Sequence, residues 1–384
     1  MGRGDGPGKR RVTRVGILGG GQLGRMLAER AIQLGMEVLV VDPDAECCAA
    51  VVAPLIPRPF DHPEARVALR GCDVVTYERE TLPLDLLRRL ECSVPVHPKP
   101  RALEVAQDRL AEKRFFRGLD IPTAEFRPVS SERELRRAAR ELRLPAILKT
   151  RLGGYDARGQ LLLRHEDELG RAWRSLGEQP LILESVVSFD REISLIGARS
   201  RRGEWRHWAP SENVHVDGML RIARSPAAAL AADELARGRR WMERIGDALD
   251  YTGVLTVEFF AVGGHWIANE MACRVHNSGH WTIEGAATSQ FENHLRAIAD
   301  LPLGSVDSRG SSATINLIGS LPETRDVLSV DRAQLHRYGK EARPDRKLGH
   351  VTIQADDAAG REAGVRSLVG LLDDRKLAAA LELR

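Results

Sequence analysis

The stretch TVEFFAVGGHWIANEM, residues 256–271, consists of two mostly apolar runs on either side of Gly263 and Gly264. Such a pattern predicts a β-hairpin. If the hairpin folds symmetrically about Gly264, Glu258 lies directly opposite Glu270, with the two Cβ atoms about 4.5–5.5 Å apart on one face. Like charges so close destabilise a sheet unless a divalent cation lies between them. The hairpin therefore predicts a metal site formed by Glu258 and Glu270.

Two alternatives remain open for these glutamates. A turn of only two residues would make the pair diagonal, yet still close enough to share a metal ion. The other alternative is that both side chains are solvated on an exposed face of the sheet. Apolar neighbours argue instead for a covered face. These neighbours are Phe259, Phe260, Trp266 and Ile267.

The residues after the hairpin extend the same face. If the strand stays regular, alternation places Arg274 and His276 on the side of Glu270. The segment RVHNSGHWT, residues 274–282, is rich in hydrogen-bond donors for the end of an element. A carboxylate, a cation and an imidazole would then converge on one cavity. The alternative is a polar turn whose hydrogen-bonding groups pair with one another. For His280 alone, this alternative is the favoured interpretation.

A second set of signals lies upstream of the hairpin. Lys149 ends the apolar strand AILKT, where a lysine either reaches solvent or contacts a phosphate. The loop GGYDARG, residues 153–159, is of the kind that closes backbone amides over a polyphosphate. Each signal is weak alone, but a lysine, a glycine-rich loop and two facing glutamates in this order favour a nucleotide site.

The first hundred residues carry a different glycine pattern. In VGILGGGQLGRM, residues 15–26, Gly19, Gly21 and Gly24 have G-x-G-x-x-G spacing, and Asp42 closes the next apolar run. This spacing is typical of the phosphate turn of a dinucleotide-binding domain. Strands and helices alternate up to about residue 100, which predicts a parallel sheet with helices on both faces.

Composition limits the class of protein. The chain has 384 residues, enough for two or three domains, and no apolar run long enough to cross a bilayer. Its net charge of +3 arises in the opening fourteen residues, which hold five basic side chains against one acidic side chain. We therefore expect no membrane and no nucleic-acid partner. The five cysteines show no metal or disulfide spacing and favour the reducing cytoplasm.

Changes of pattern along the chain predict its division. A helical apolar period runs from Leu103 to Leu119, the segment DIPTAEF at residues 120–126 breaks it, and a small α+β stretch follows before the hairpin. We expect a disordered basic tail over 1–14, a first domain over 15–105, a second over 106–305 with a lid subdomain over about 122–183, and a C-terminal domain over 306–384.

The sequence resembles the ATP-grasp enzymes, and among them the 5-(carboxyamino)imidazole ribonucleotide synthases of purine biosynthesis, from about Val15 to His350. The fold this implies combines α/β and α+β parts, with a Rossmann-like pre-ATP-grasp domain, an ATP-grasp domain and a small C-terminal domain. Ala157 and Cys273 depart from the family's pattern, which usually has glycine and proline there. The resemblance rests on GGGQLGRM, TRLGGYDARGQ, SENVHVDGMLR, NEMACRVHNSGHWTIEGAATSQFENHLRAI and RKLGH.

The resemblance also implies site residues. The catalytic residues would be Lys149, Arg274 and His276, with Arg274 holding carboxyphosphate. Glu258 and Glu270 would bind Mg²⁺ or Mn²⁺. The implied contacts to ATP are Arg109, Lys149, Gly153, Gly154, Tyr155, Asp156, Arg158, Gly159, Glu184, Ser185, Val186, Val187, Glu192, His215, Asn269 and Glu270. The implied contacts to the ribonucleotide are Gln22, Leu23, Glu78, Glu80, Asn277, Ser278, Lys340, Arg346 and Lys347.

The implied reaction joins bicarbonate to 5-aminoimidazole ribonucleotide at the expense of ATP, through carboxyphosphate. The loop over residues 153–159 would act as a lid that keeps water from this intermediate. The glycine turn would then serve the ribonucleotide and not NAD, and the enzyme would be a homodimer. Three alternatives stay open: a formate-dependent glycinamide ribonucleotide transformylase of the same superfamily, a nicotinamide oxidoreductase, and a nucleotide-binding scaffold without activity.

Overall fold

A computed structural model describes residues 12–153, 159–372 and 374–382. The chain divides into two compact units, Met1–His97 and Pro98–Arg384. Most of the predicted tail lies outside the described residues. Its last residue, Arg14, is not part of a tail, because it opens the first strand and its backbone N–H donates to Asp73 Oδ2 at 2.8 Å.

The first unit is the predicted parallel α/β sheet. Its four strands pair in the order β3-β2-β1-β4, all parallel. The additional strand predicted at VPVHP forms only a single bridge, Val75 to Val96. The elements are β1 (Arg14–Leu18), α1 (Gln22–Gln33), β2 (Glu37–Val41), β3 (Leu55–Ile56), α2 (Pro63–Arg70), β4 (Val74–Tyr77) and α3 (Leu84–Glu91).

The second unit opens with two helices and a small α+β subdomain. The Asp108 carboxylate caps the second helix by accepting from the N–H groups of Leu110 and Ala111. The four subdomain strands form an antiparallel sheet in the order β5-β8-β6-β7. The elements are α4 (Pro100–Gln107), α5 (Arg109–Gly118), β5 (Phe126–Val129), α6 (Glu132–Leu142), β6 (Ala146–Thr150), β7 (Gln160–Leu163), α7 (Leu169–Leu176) and β8 (Leu181–Ser185).

The rest of the second unit is built on one nine-stranded sheet. Eight strands follow the order β14-β13-β9-β11-β12-β15-β17-β16, and β10 pairs with β9. The strands are β9 (Arg191–Arg199), β10 (Trp205–His207), β11 (Ser211–Val216), β12 (Met219–Ser225), β13 (Gly253–Val262), β14 (His265–Ala272), β15 (Ser311–Ile318), β16 (Ala333–Arg337) and β17 (Lys347–Ala355). The helices are α8 (Ala232–Ala248), α9 (Thr282–Gly285), α10 (Gln290–Ile298), α11 (Thr324–Ser329), α12 (Ala358–Leu371) and α13 (Arg375–Glu382).

The strands of the predicted C-terminal domain belong to this sheet. Its strand β15 pairs antiparallel with β12, and both pack into one buried apolar cluster with α12. Residues 306–384 are therefore part of the second compact unit. Within the described ranges, no helix is both long enough and apolar enough to span a membrane.

Candidate active site

The hairpin places Glu258 opposite Glu270, as predicted, but through a different geometry. The turn has two residues, Gly263 and Gly264, so the pairing begins at Val262 and His265. Such a register alone would pair Glu258 with Asn269 and turn the Glu270 side chain to the opposite face of the sheet, so a two-residue turn by itself does not give the diagonal pair. A β-bulge between Glu258 and Phe259 corrects it, because Asn269 is an extra residue on β14. The symmetric turn was wrong, and the facing pair is confirmed.

The two carboxylates differ in their surroundings. The Glu258 side chain is largely buried, and burial together with the nearby Glu270 charge raises its pKa to about 7. The Glu270 side chain is 44% exposed, and Arg109 Nη1 donates to its Oε2 at 3.2 Å. Burial acts to raise the pKa of Glu270, but Arg109 and Lys149 hold it below the usual value. The pair therefore has one carboxylate held ionised and one that is costly to ionise.

This donor set fits a hard divalent cation. Among the described residues, no group of three or more His, Cys, Asp or Glu side chains could hold a metal ion. Two carboxylates without nitrogen or sulfur ligands match Mg²⁺ or Mn²⁺, which take their remaining ligands from water and substrate phosphates. A cation between Glu258 and Glu270 would also relieve the repulsion that raises the pKa of Glu258.

Lys149 lies in a buried charge cluster close to this pair. Its Nζ donates to Glu184 Oε2 at 2.9 Å, and Lys113 Nζ lies 3.6 Å from the same oxygen. Burial opposes ionisation of Glu184, but the two lysines lower its pKa to about 2. The Glu184 carboxylate, implied as a contact to ATP, thus faces two ammonium groups. Strand β8 ends at Ser185, and Val186 and Val187 follow it, with the Val186 side chain exposed.

Glu192 and His215 come together on neighbouring strands. Glu192 lies on β9 and His215 on β11, and the Glu192 carboxylate contacts His215 Nδ1. Burial acts to lower the pKa of His215, but the Glu192 carboxylate raises it above its usual value. The charges of Glu258 and Glu270 act in the same direction, so the histidine belongs to the electrostatic environment of the glutamate pair.

The segment of residues 274–282, which is rich in hydrogen-bond donors, follows the end of β14 and still brings His276 to the glutamate pair. Strand β14 ends at Ala272, so the regular alternation predicted to carry Arg274 and His276 is wrong. His276 Nε2 nevertheless lies 3.7 Å from Glu258 Oε1, and its Nδ1 lies 2.8 Å from Ser278 Oγ. Burial and the Arg274 charge hold the pKa of His276 well below its usual value, which keeps the imidazole neutral. Both polar atoms of the Asn277 amide are buried without a partner among the described residues.

The three predicted phosphate contacts near residue 345, Lys340, Arg346 and Lys347, differ in their surroundings. Lys347 opens β17, and its charge acts on the pKa values of both Glu258 and His276. Arg346 donates to the carbonyl oxygen of Glu341 at 3.3 Å. The Lys340 ammonium lies 5.7 Å from the centre of the Tyr338 ring. Of the three, the structure brings Lys347 to the glutamates.

Only part of the predicted lid can be described. Gly154, Tyr155, Asp156 and Arg158 lie outside the described residues. Gly153 and Gly159, on either side, both have positive φ, at +72° and +73°. A Cβ at Gly159 would also lie 2.7 Å from Thr150 Oγ1, so this position needs glycine for two reasons.

In the first unit, two acids hold the glycine turn. Asp42 Oδ2 accepts from the Gly20 N–H at 2.7 Å, and Glu78 Oε1 accepts from the Gly21 N–H at 3.1 Å. Asp42, placed where a ribose-binding acid would be, is buried and bound to backbone. Gln22 opens α1 and Leu23 is buried on it, while Glu80 follows β4 and is partly buried.

Gly21→Val is expected to weaken ribonucleotide binding by about tenfold or more and to leave ATP affinity unchanged. A Cβ at Gly21 would lie 2.8 Å from Glu78 Oε1, so the branched side chain displaces a predicted ribonucleotide contact. Isothermal titration with each ligand measures this. Loss of ATP binding with retention of the ribonucleotide would refute the assignment, as would tight binding of NAD by the wild-type chain.

Two residues of the site were missed by the sequence reasoning. Glu112 and Lys113 on α5 are each only 2% exposed. A signal was present, because Lys113 lies three residues after Leu110 and three before Phe116, on the helix face that is otherwise apolar. A lysine at such a position is buried only if it has partners.

Three family models match the chain. The ribonucleotide synthetase preATP-grasp domain matches residues 12–107, the ATP-grasp domain matches 114–291, and the phosphoribosylaminoimidazole carboxylase C-terminal domain matches 312–363. These matches cover most of the chain.

Individual proteins agree with these matches. The N5-carboxyaminoimidazole ribonucleotide synthase of Pseudomonas aeruginosa is 43% identical over 365 residues, covering 94% of this chain and 99% of the relative. The crystal structure of the synthetase from Thermus thermophilus has a TM-score of 0.90 at 48% identity, covering 94% and 99%. That of the synthase from Aspergillus clavatus with ADP and 5-aminoimidazole ribonucleotide has a TM-score of 0.87 at 32% identity, covering 94% and 99%.

Proposed function

Because the chain belongs to the family of N5-carboxyaminoimidazole ribonucleotide synthases and is an ATP-dependent ligase of purine biosynthesis, we propose that bicarbonate is its carboxyl source. The observation that carries the proposal is the facing pair Glu258 and Glu270, with the buried Lys149 close enough to act on the pKa of Glu270. These groups suit the transfer of a phosphoryl group, which depends on positioning and charge.

The proposed reaction has two stages. An oxygen of bicarbonate attacks the γ-phosphorus of ATP and ADP leaves, which produces carboxyphosphate. The exocyclic amine of 5-aminoimidazole ribonucleotide then takes the carboxyl group, either directly or as released carbon dioxide, and inorganic phosphate leaves. The first stage is phosphoryl transfer and the second is carbon–nitrogen bond formation.

Lys149, Arg109 and the glutamate pair act in the first stage. Lys149 and Arg109 contact the phosphates of ATP, and both are already held by carboxylates, Lys149 by Glu184 and Arg109 by Glu270. Glu258 and Glu270 hold Mg²⁺, or Mn²⁺ in its place. When bound, the metal ion neutralises charge on the transferring phosphate oxygens. The adenosine part of ATP contacts residues 184–187, Glu192, His215 and Asn269.

Arg274 and His276 act in the second stage. Arg274 holds the carboxyphosphate, since a guanidinium matches the geometry of a phosphate group. His276 Nε2 lies 3.7 Å from Glu258 Oε1, which supports its assignment to the same site, and the leaving phosphate is the base that takes the proton the amine loses. The unpartnered amide of Asn277 supports its assignment as a contact for the ribonucleotide, together with Ser278.

The remaining assignments rest on the resemblance. The ribonucleotide also contacts Gln22, Leu23, Glu78 and Glu80, and its 5′-phosphate binds Lys340, Arg346 and Lys347. The enzyme is a cytoplasmic homodimer, and the location is supported by its five cysteines, all among the described residues, which form no disulfide bond. Light scattering on the purified chain tests the dimer.

Phosphate release from ATP is expected to rise by about tenfold or more when bicarbonate and 5-aminoimidazole ribonucleotide are both present. The reason is that bicarbonate is the nucleophile and the amine consumes the intermediate. Release is followed with each component omitted in turn, and formate with glycinamide ribonucleotide serves as the matched substrate pair. Equal or greater activity with formate would favour the transformylase, and ATP turnover that does not depend on bicarbonate would contradict the proposal.

A further inference from the structure

Strand β14 lies at one edge of the nine-stranded sheet. It pairs with β13 on one side, and no other described strand pairs along its second side. The backbone groups on that second side meet α5 and the segment that follows it. The N–H of Ala268 donates to the carbonyl oxygen of Pro122 at 2.7 Å. Polar backbone groups at a covered edge need such partners, because leaving them unpaired is costly.

Two adjacent side chains of α5 supply the partners next to Glu270. Lys113 Nζ donates to the carbonyl oxygen of Asn269 at 2.6 Å, and Glu112 Oε1 accepts from the N–H of Met271 at 2.7 Å. The two hydrogen bonds are therefore made to the residues immediately before and after Glu270. Both side chains are only 2% exposed, so these bonds form away from competing water.

The residue held by Lys113 is the extra residue of the β-bulge. Between the turn and the bulge, the register pairs Phe259 with Ala268. If this register continued without a bulge, Asn269 would face Glu258, and Glu270 would point to the opposite face of the sheet. The bulge shifts the register by one residue and turns the Glu270 carboxylate toward Glu258. Whatever stabilises the bulge thus determines whether the two carboxylates meet.

We propose that Glu112 and Lys113 are positioning residues that hold the β-bulge at Asn269, so that Glu270 faces Glu258 across the hairpin. The inference rests on the proposed metal role of these two glutamates. The inference also connects the residues that hold the bulge with the proposed phosphate contact Lys149, because Lys113 and Lys149 share the Glu184 carboxylate. Metal affinity is then set in part by two side chains that do not touch the metal.

The test measures Mn²⁺ binding directly, by the loss of the free-ion electron paramagnetic resonance signal, in the presence of ADP. Lys113→Met and Glu112→Ala are expected to raise the Kd for Mn²⁺ by about 10- to 100-fold, as is usual for the loss of groups that orient metal ligands. Glu112→Gln is expected to bind Mn²⁺ as wild type does, because the amide oxygen still accepts from Met271. At saturating Mn²⁺, Lys113→Met and Glu112→Ala should change kcat by a smaller factor than they change the Mn²⁺ concentration needed for half-maximal activity.

Two controls separate this role from general effects. Phe116→Leu alters another buried residue of α5 and should lower the melting temperature without changing the Mn²⁺ Kd. Glu270→Gln tests the underlying metal role. If Glu270→Gln binds Mn²⁺ as wild type does, the metal assignment fails. If it loses Mn²⁺ while Lys113→Met and Glu112→Ala retain wild-type affinity, only the positioning role fails.

A measurement on the wild-type chain keeps the inference testable if a variant does not fold. The Met271 amide is expected to exchange its hydrogen at least about as slowly as amides within the β13–β14 ladder, because Glu112 holds it in a buried hydrogen bond. Exchange at the rate of an exposed edge amide would overturn the inference. So would a Glu112→Gln variant that binds Mn²⁺ as weakly as Glu112→Ala.

Discussion

Glu270→Gln is expected to lower turnover by about 10³-fold or more while the chain remains folded. A metal ion that neutralises the transferring phosphoryl group contributes several kcal/mol, and each 1.36 kcal/mol is about a factor of ten in rate. The variant removes one of the two anionic ligands. Its amide oxygen still accepts from Arg109, so the local hydrogen bond at 3.2 Å survives. Steady-state kinetics over a range of Mg²⁺ concentrations measure the effect.

The same substitution should change the pH dependence of stability in the metal-free protein. Burial and the Glu270 charge raise the pKa of Glu258 from 4.5 to about 7, so the folded chain binds more protons than the unfolded chain between these values. The free energy of unfolding therefore falls as the pH rises through this window. Glu270→Gln removes the like charge, and we expect a smaller fall and a higher melting temperature near pH 7.

The matched control for Glu270→Gln is Glu204→Gln. Glu204 is 47% exposed, close to the 44% of Glu270, and it forms an ion pair with Arg206 away from the glutamate pair. Surface ion pairs of this kind contribute little, so turnover and metal dependence should not change. Near wild-type activity of Glu270→Gln at ordinary Mg²⁺ concentrations would rule out the metal assignment.

Lys149→Met is expected to reduce kcat by about 10²- to 10³-fold, the usual cost of removing one preorganised charge from a phosphoryl- or acyl-transfer site. Lys149 is 8% exposed, and methionine fills a similar volume without the charge. Folding should survive, because Lys113 still lies 3.6 Å from the Glu184 carboxylate. Single-turnover phosphate release, with ATP binding measured separately, shows whether the chemical step is affected.

Two comparisons make the Lys149 result specific. Lys99→Met removes a lysine from an exposed ion pair with Asp250 and should leave turnover unchanged. Lys113→Met should act on Mn²⁺ affinity, whereas Lys149→Met should act on kcat with Mn²⁺ affinity retained. If Lys149→Met kept more than about a tenth of wild-type activity, Lys149 would not be the phosphate contact.

Local patterns in the sequence predicted most of the elements, and they predicted the facing glutamate pair, although through a symmetric turn that the structure does not have. Alternating apolar runs and glycine spacing predicted the parallel sheet of the first unit, with β1 starting within one residue of the predicted boundary. The hairpin pattern predicted that Glu258 faces Glu270. Such inferences succeed because side-chain periodicity and turn chemistry are properties of neighbouring residues.

The sequence alone could not supply the reason why the pair meets. Whether the turn has two or three residues depends on the whole ladder, and the bulge at Asn269 depends on Lys113, which is 156 positions away. The predicted alternation through Arg274 failed for a similar reason, since β14 ends at Ala272 and the residues that follow are placed by contacts outside the ladder, such as that of His276 with Gln290.

By itself, then, the sequence determined which segments form strands and helices, which residues carry charge within apolar surroundings, and which glycines allow a tight turn. Only the tertiary structure decided that Asp42 and Glu78 bind backbone N–H groups, that Glu184 is shared by two buried lysines, and that β15–β17 extend the large sheet. The physical reason is that these contacts join residues far apart in the chain. Which residues become partners depends on burial and on the need to pair every buried charge and backbone group. The local periodicity of the sequence carries no information about these long-range pairings.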